Sequence, residues 1–450
     1  MSRNRVPAVV AALFLGCLAG PALAACEAPA AGNAASWLPV TPFPDYPKPP
    51  PHPASDCPFY QAAWQTFLHV AQPDAAGQPA FLGYPRIEDV FAGAGPAPDA
   101  PPLDLTSGVR QAGVGGILID RNGAPVFYSM HFNDRFADFV ARNGLTTPEG
   151  ILAADEGLSF DEPGIVELKS AWRVLDDDDD RSAYFWKEAW VPKLVVLNGE
   201  IEPDPAGGRR RVAVGLVALH VVFTMEGHPE FVWSTFEHVD RDKQPDNAPN
   251  AARNPEDTAE DFVAGPGRAY PFYAAGSGAG DSNLNGLPHP SQLAAAFDEQ
   301  AQLFTANGGA TTPVYREYPA SKLLTDEPDD ALAELNASVW RAFEAADPAG
   351  TDPRRNYVQV GATWLDRPER DFAVGRDFAN AWDEDSDTGP VAGEDALSSI
   401  AMESFTQQTF PSCFSCHDTR EVYSTAGEKL MERKNINVSH AFSHFVSGGR

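Results

Sequence analysis

Hydrophobic positions recur along this chain with two different periods, and the switch between them outlines the fold. With Ser55 or Asp56 as N-cap and Pro58 in the first turn, Tyr60, Ala63, Trp64, Phe67 and Leu68 fall on one face at helical spacing. An aromatic stripe of this kind predicts a helix packed on a core rather than a cofactor box. Leu332, Leu335, Val339 and Phe343 repeat the pattern within 330–346. Between these segments the period shortens to two. Residues 116–120 and 125–131 flank Arg121-Asn122-Gly123, which predicts a hairpin across an Asn-Gly turn. Further strands are expected over 164–175, 184–197, 211–224 and 230–240, and another over 357–364. The Gly- and Pro-containing stretch 225–229 joins the third and fourth of these. The predicted fold class is α+β: a large β-rich, mostly antiparallel domain with peripheral helices. A short helical C-terminal segment is expected to pack against it, preceded by a helix over 395–410.

The ends of the chain bear on its location. Arg3 and Arg5 precede an apolar stretch over 8–19, and Ala22-Leu23-Ala24 resembles a cleavage site. Residues 1–24 therefore read as a signal peptide and the protein as exported to the periplasm. No other run is apolar and long enough for a transmembrane helix. Leu23-Ala24-Ala25-Cys26 also resembles a lipobox, which would make Cys26 a lipid anchor. The competing reading is a Cys26–Cys57 disulfide, favoured because lipidation would leave Cys57 unpaired. Residues 25–56 are rich in Pro and Ala and read as a semi-rigid tether. The β-rich domain then spans 57–385 and the C-terminal segment 386–450. Within the domain, 243–286 reads as an irregular insertion. The Asp run 176–180 reads as a solvated loop, because it lacks the spaced ligands and Gly of a calcium loop. The net charge is −30, with no visible basic face, so no nucleic-acid partner is expected. That charge suits a basic or salt-sensitive partner surface, and equally bulk solubility.

The sharpest chemical signal is Cys413-Phe414-Ser415-Cys416-His417. C-x-x-C-H is the attachment sequence of c-type haem. Two thiols three apart on a helical turn can reach the two vinyl groups of one porphyrin, and the adjacent imidazole can bind the iron. The expected cofactor is one covalent haem c, anchored by Cys413 and Cys416 with His417 as proximal iron ligand. A Cys413–Cys416 disulfide would not require His417. A zinc site would need more ligands, which His440 and His444 could supply. For the distal position His440 is favoured, with Met431, His444 and Met402 as alternatives. The segment is too short to cover a porphyrin alone, so the upstream domain is expected to complete the pocket.

A second constellation lies on the strands. His220, Trp233, Glu237 and His238 sit in apolar stretches, with Glu167 and Lys169 on the strand before them. Polar groups there are costly unless paired, so they signal either a buried hydrogen-bond network or a pocket, the network being the more ordinary outcome. Alternation places Trp233, Thr235 and Glu237 on one face and Phe236 and His238 on the other.

The stretches "ELKSAWRVL" (167–175), "GLVALHVVF" (215–223), "FVWSTFEHVD" (231–240), "MESFTQ" (402–407), "SCFSCH" (412–417) and "SHAFSHF" (439–445) together resemble a family of exported bacterial cytochrome c proteins with one C-terminal C-x-x-C-H. The resemblance spans most of the chain. It assigns no reaction beyond the haem motif; the function expected from that motif is electron transfer through one haem, with an unknown redox partner protein. It includes His220, Trp233, Glu237 and His238 in its pattern without giving them a role. Two alternatives stay open: a haem-dependent oxidoreductase with a substrate pocket in the β-rich domain, and a haem-based ligand-binding or sensing protein.

Overall fold

The computed structural model describes residues 26–28, 37–38, 56–91, 103–105, 108–113, 115–239, 270–273, 290–305, 314–316, 331–381, 389–394, 397–407, 409–410, 412–424 and 426–448. The signal-like segment, most of the tether and most of the 243–286 insertion lie outside them.

An eight-stranded mixed sheet organises the chain. Its strands are β1 Leu103–Asp104, β2 Phe127–Phe132, β3 Val166–Val174, β4 Trp186–Pro192, β5 Arg209–Met225, β6 His228–His238, β7 Tyr357–Leu365 and β8 Val391–Gly393. Every pairing in it is antiparallel except β1 on β4. The fold is thus α+β around a large sheet.

β5 is the spine. It is 17 residues long, and Val214 and Gly215 pair on both edges, with β3 on one and β4 on the other. β4 lies along its first half, β6 along its second, and β3 opposite both. A central strand covered on both faces tolerates a nearly continuous apolar run, and β5 reads that way from Val214 to Met225. The β5–β6 turn lies at Glu226-Gly227, with Gly227 at φ 89°, where a side chain would be strained.

The expected strand boundaries shift in two places. The 120–123 turn forms, with Asp120 N–H on the Ala124 carbonyl at 2.8 Å, but only an isolated bridge, Ile119 to Pro125, follows it. Phe127–Phe132 pairs with β3 instead. The 184–197 stretch divides after Pro192: Lys193 N–H still reaches the Gly208 carbonyl at 2.7 Å, and the chain then leaves the large sheet. Leu194–Leu197 then folds back on Glu200–Pro203 through Asn198-Gly199, both at positive φ.

One face of the sheet is covered by helix α1, Cys57–Val70, and helix α2, Ala331–Ala346. α1 carries the predicted stripe: Trp64 and Phe67 are fully buried, and Phe67 stacks on Phe236 at 4.3 Å. A disulfide joins Cys26 to Cys57, with the Cα atoms 5.5 Å apart. The sulfur that a lipid would need is thereby engaged. The tether expectation needs correcting where residues are described. Cys26, Ala28 and Trp37 are buried in the core, and Ala28 N–H donates to Ser338 Oγ of α2 at 2.6 Å.

The Asp run is not simply solvated. Arg173 holds Asp179 through two hydrogen bonds, at 2.9 and 2.8 Å, and Asp120 through a third. Asp176, Asp177, Asp178 and Asp180 stay at least partly exposed. The division at 386 also falls inside the fold, since β8 follows it and pairs with Thr363–Leu365. The helix expected over 395–410 is a series of turns in the described residues there. The C-terminal segment adds an unforeseen two-stranded ribbon, Val422–Tyr423 with Lys429–Met431, before a 3-10 turn at Asn435–Val438 and helix α3, His440–Val446. Among the described residues no helix is long and apolar enough to cross a membrane.

Candidate functional site

The C-x-x-C-H stretch is wound into one 3-10 turn, Cys413–Ser415. The N–H groups of Cys416 and His417 both reach the Cys413 carbonyl, at 3.2 and 2.9 Å. Phe414 pins this turn by burying its ring near Trp233 and Phe378. Cys413 and Cys416 are not bonded to each other. Burial, with the Glu403 charge nearby, pushes the Cys416 thiol up to about 11 and Cys413 further. Both are therefore protonated thiols at neutral pH.

His417 is fixed from three directions. Its Nδ1 donates to the Val438 carbonyl at 2.9 Å; a carbonyl only accepts, so Nδ1 carries the proton. Nε2 is left with a free lone pair, the tautomer that a metal-binding imidazole needs. The ring packs on Trp233 at 4.1 Å and on His440 at 3.9 Å. Burial and the neighbouring His440 hold its pKa well below the ordinary histidine value, so the ring stays neutral.

Strand register builds the opposite wall. Antiparallel pairing aligns Met130, Lys169, His220 and Thr235 in one row across β2, β3, β5 and β6. The adjacent row is Phe132, Glu167, Val222 and Trp233. Side chains of alternate residues share a face, so both rows point the same way. In the first row β7 contributes Gly361, where a Cβ would meet Glu394 Cγ at 2.6 Å and Leu397 Cδ1 at 2.8 Å. Its bare backbone lets the chain after β8 lie close over the sheet.

These rows and the C-terminal segment enclose one cavity of about 700 Å³. Cys413, Cys416 and His417 border it together with Glu167, Lys169, His220 and Trp233. The C-x-x-C-H turn and four members of the second constellation, Glu167, Lys169, His220 and Trp233, thus share one site. Glu403 joins them: His220 Nε2 meets Glu403 Oε1 at 2.9 Å, and His220 Nδ1 meets Thr235 Oγ1 at 2.9 Å. The Ser399 N–H holds the other Glu403 oxygen at 2.7 Å. Burial opposes ionisation of Glu403, but His220 and Lys169 outweigh it and hold the carboxyl below its ordinary value. The Lys169 ammonium donates to the Gln111 carbonyl at 3.2 Å; burial lowers its pKa, and Glu403 and Glu167 oppose that. Glu167 accepts from Ser439 Oγ at 2.6 Å, tying the N-cap of α3 to the sheet. Burial raises its carboxyl to about 7, against that hydrogen bond and the Lys169 charge.

Four expected site residues lie elsewhere or otherwise. His238 faces the opposite side of β6, stacked on Tyr184 at 3.9 Å with Nε2 on the Ala183 carbonyl. Glu237 shares the cavity's side of the sheet but does not border the cavity; Arg316 pairs with it at 2.6 Å and the Ile400 N–H adds 2.9 Å. Met431 is buried in the ribbon, away from the cavity. His440 borders the cavity, but it lies face to face with His417 and its Nε2 is 3.1 Å from the Cys416 carbonyl. His440 is thus stacked beside His417 and engaged with the backbone, a placement that gives its expected distal role no support. Met402 and His444 also border the cavity. Glu403 was missed as a site residue, although it lies in one of the stretches that carry the family resemblance.

The donor set decides what the cavity suits. Among the described residues no group of three or more His, Cys, Asp or Glu side chains converges as a metal-ion site, so the zinc reading finds no support. One free imidazole nitrogen and two separate thiols on the wall of a cavity of this size instead fit a c-type porphyrin, which takes one protein nitrogen for its iron and two cysteine sulfurs for its vinyl groups. No family model matches this chain, and neither a curated protein nor a solved structure is similar to it.

Proposed function

We propose that this chain is an exported redox protein that passes electrons through one covalently held haem c. The observation that carries the reading is the convergence on one cavity of two unbonded thiols and His417, whose Nε2 is left free by the Nδ1 bond to Val438. Cys413 and Cys416 would hold the porphyrin and His417 would bind its iron. The bound group would supply a one-electron couple. The chain's own residues then do the rest: Trp233 and His440 clamp the His417 ring, and the Ser439–Glu167 hydrogen bond ties the covering helix down. Export is supported by the signal-like N-terminus and by the Cys26–Cys57 bridge, which suits an oxidising compartment. Resemblance to the cytochrome c proteins named above supports the same reading. The partner is expected to be another redox protein.

The test is expression with a bacterial cytochrome c maturation system and export to the periplasm. The purified protein is expected to carry one haem that survives denaturation, and Cys413→Ala with Cys416→Ala should abolish that attachment. Purification without covalent haem, or haem retained in the double variant, would overturn the proposal.

A further inference from the structure

The acceptor for His417 Nδ1 is the Val438 carbonyl, at the end of the 3-10 turn Asn435–Val438. A short 3-10 turn has poorer internal hydrogen bonds than an α-helix, so its place depends on outside contacts. The residue before Val438 supplies them. Asn437 is 2% exposed, and its Nδ2 donates to the Arg420 carbonyl at 2.7 Å and to the Glu432 carbonyl at 2.8 Å. Carbonyls only accept, so the orientation of the amide is settled and both of its N–H donors are used. Arg420 follows His417 closely in the chain, and Arg420 and Glu432 flank the ribbon of Val422–Tyr423 and Lys429–Met431. A ring of connections thereby closes. His417 leads along the chain to Arg420, Arg420 by hydrogen bond to Asn437, Asn437 along the chain to Val438, and Val438 by hydrogen bond back to His417.

The other anchors of this turn lie to either side. Lys434 N–H reaches the Thr419 carbonyl at 3.1 Å and Asn435 N–H the Glu156 carbonyl at 2.8 Å, both where the turn begins. Beyond Val438, Ser439 ties the helix that follows to Glu167. Asn437 is the side chain next to Val438 that ties the turn back to the segment carrying His417. It does not border the cavity, so its influence on a bound group runs through His417. Resting on the haem reading above, we infer that Asn437 is the positioning residue that sets the strength of the His417–Val438 hydrogen bond and, through it, the reduction potential of the haem. The chemistry gives the sign. A hydrogen bond donated from Nδ1 raises the basicity of Nε2. A more basic ligand favours ferric over ferrous iron, so the potential falls. The two donors of Asn437 therefore hold the potential low, and their loss raises it.

A redox titration of the exported, haem-bearing protein, followed by its absorption spectrum, tests the inference. Asn437→Ala is expected to shift the reduction equilibrium toward the ferrous form by roughly tenfold, the low end of what a lost outer partner of a ligand costs. For one electron that is a rise of about 59 mV. Asn437→Ser keeps one hydroxyl donor; it should move the potential the same way by less, and it carries the test if the alanine variant does not fold. Phe67→Ala is the control for a purely structural effect, since Phe67 packs on the opposite face of the sheet. It should lower stability and leave the reduction equilibrium within about twofold, because distant sites act independently. An unchanged or lowered potential in the Asn437 variants, or an equal rise in Phe67→Ala, would overturn the inference. Absence of covalent haem from the wild type would instead sink the function proposed above, and this inference with it.

Discussion

The two faces of the sheet solve the same burial problem in opposite ways. The face under α1 and α2 is closed by apolar side chains: Phe67 on Phe236, Phe59 on Trp364, and Trp64 with its indole N–H on Asn336. The other face carries Glu167, Lys169, His220 and Thr235 in its middle rows and leaves a cavity over them. Both are built from the same strands, so alternating residues of β3, β5 and β6 serve stability and chemistry in turn. The dry face bears the packing, and the wet face is free to hold charged groups whose burial would otherwise be unfavourable.

The largest effect should come from the dry face. Phe67→Ala removes a fully buried ring and is expected to cost about 3–5 kcal/mol in urea unfolding; a loss below about 1 kcal/mol would break the comparison. Next is the bridge that fastens α1. Cys26→Ser with Cys57→Ser opens a loop of sequence separation 31 and should lower stability by about 3–4 kcal/mol. Reduction of the wild type by dithiothreitol should match the variant.

The wet face should show its character through pH. Burial raises the Glu167 carboxyl to about 7, from a reference of 4.5, so the folded state holds that proton more tightly than the unfolded chain. Its stabilising share is complete below about pH 4.5 and is lost as pH rises through about 7, on the order of 3 kcal/mol by pH 8. Glu167→Gln should flatten that part of the stability–pH curve, and an unchanged slope would show that the carboxyl is not the cause. The smallest change is Thr235→Val. It removes the hydroxyl partner of His220 Nδ1 and should cost about 1 kcal/mol, while the effect of Phe67→Ala stays additive with it because the two lie on opposite faces.

Legibility from sequence followed the range of the physics. Short-range periodicity located α1, α2 and the β5–β6 pair, because alternation and helical spacing are local consequences of one buried face. It misplaced Phe127–Phe132, whose partner strand is β3 rather than its neighbour across the Asn122-Gly123 turn. A second Asn-Gly pair, at 198–199, makes a hairpin that a single strand over 184–197 hid. His238 and Glu237 show the other limit. Both read as polar residues in an apolar strand, but one turned to a backbone carbonyl on the far face and the other to Arg316, a partner distant in the chain.

The sequence by itself determined the two thiols and the imidazole of 413–417, because their spacing is a covalent matter of one helical turn. It also determined that Trp233 and Thr235 share a face, because strand alternation is equally local. Only the tertiary structure decided that this turn sits over Lys169 and His220, that Glu403 completes their row, and that His440 lies beside His417 rather than across from it. Those placements depend on strand register and on the docking of the C-terminal segment, contacts between residues up to some hundreds of positions apart such as Ser439 with Glu167. No local pattern encodes such contacts, since each partner reads as an ordinary polar residue until the sheet brings them together.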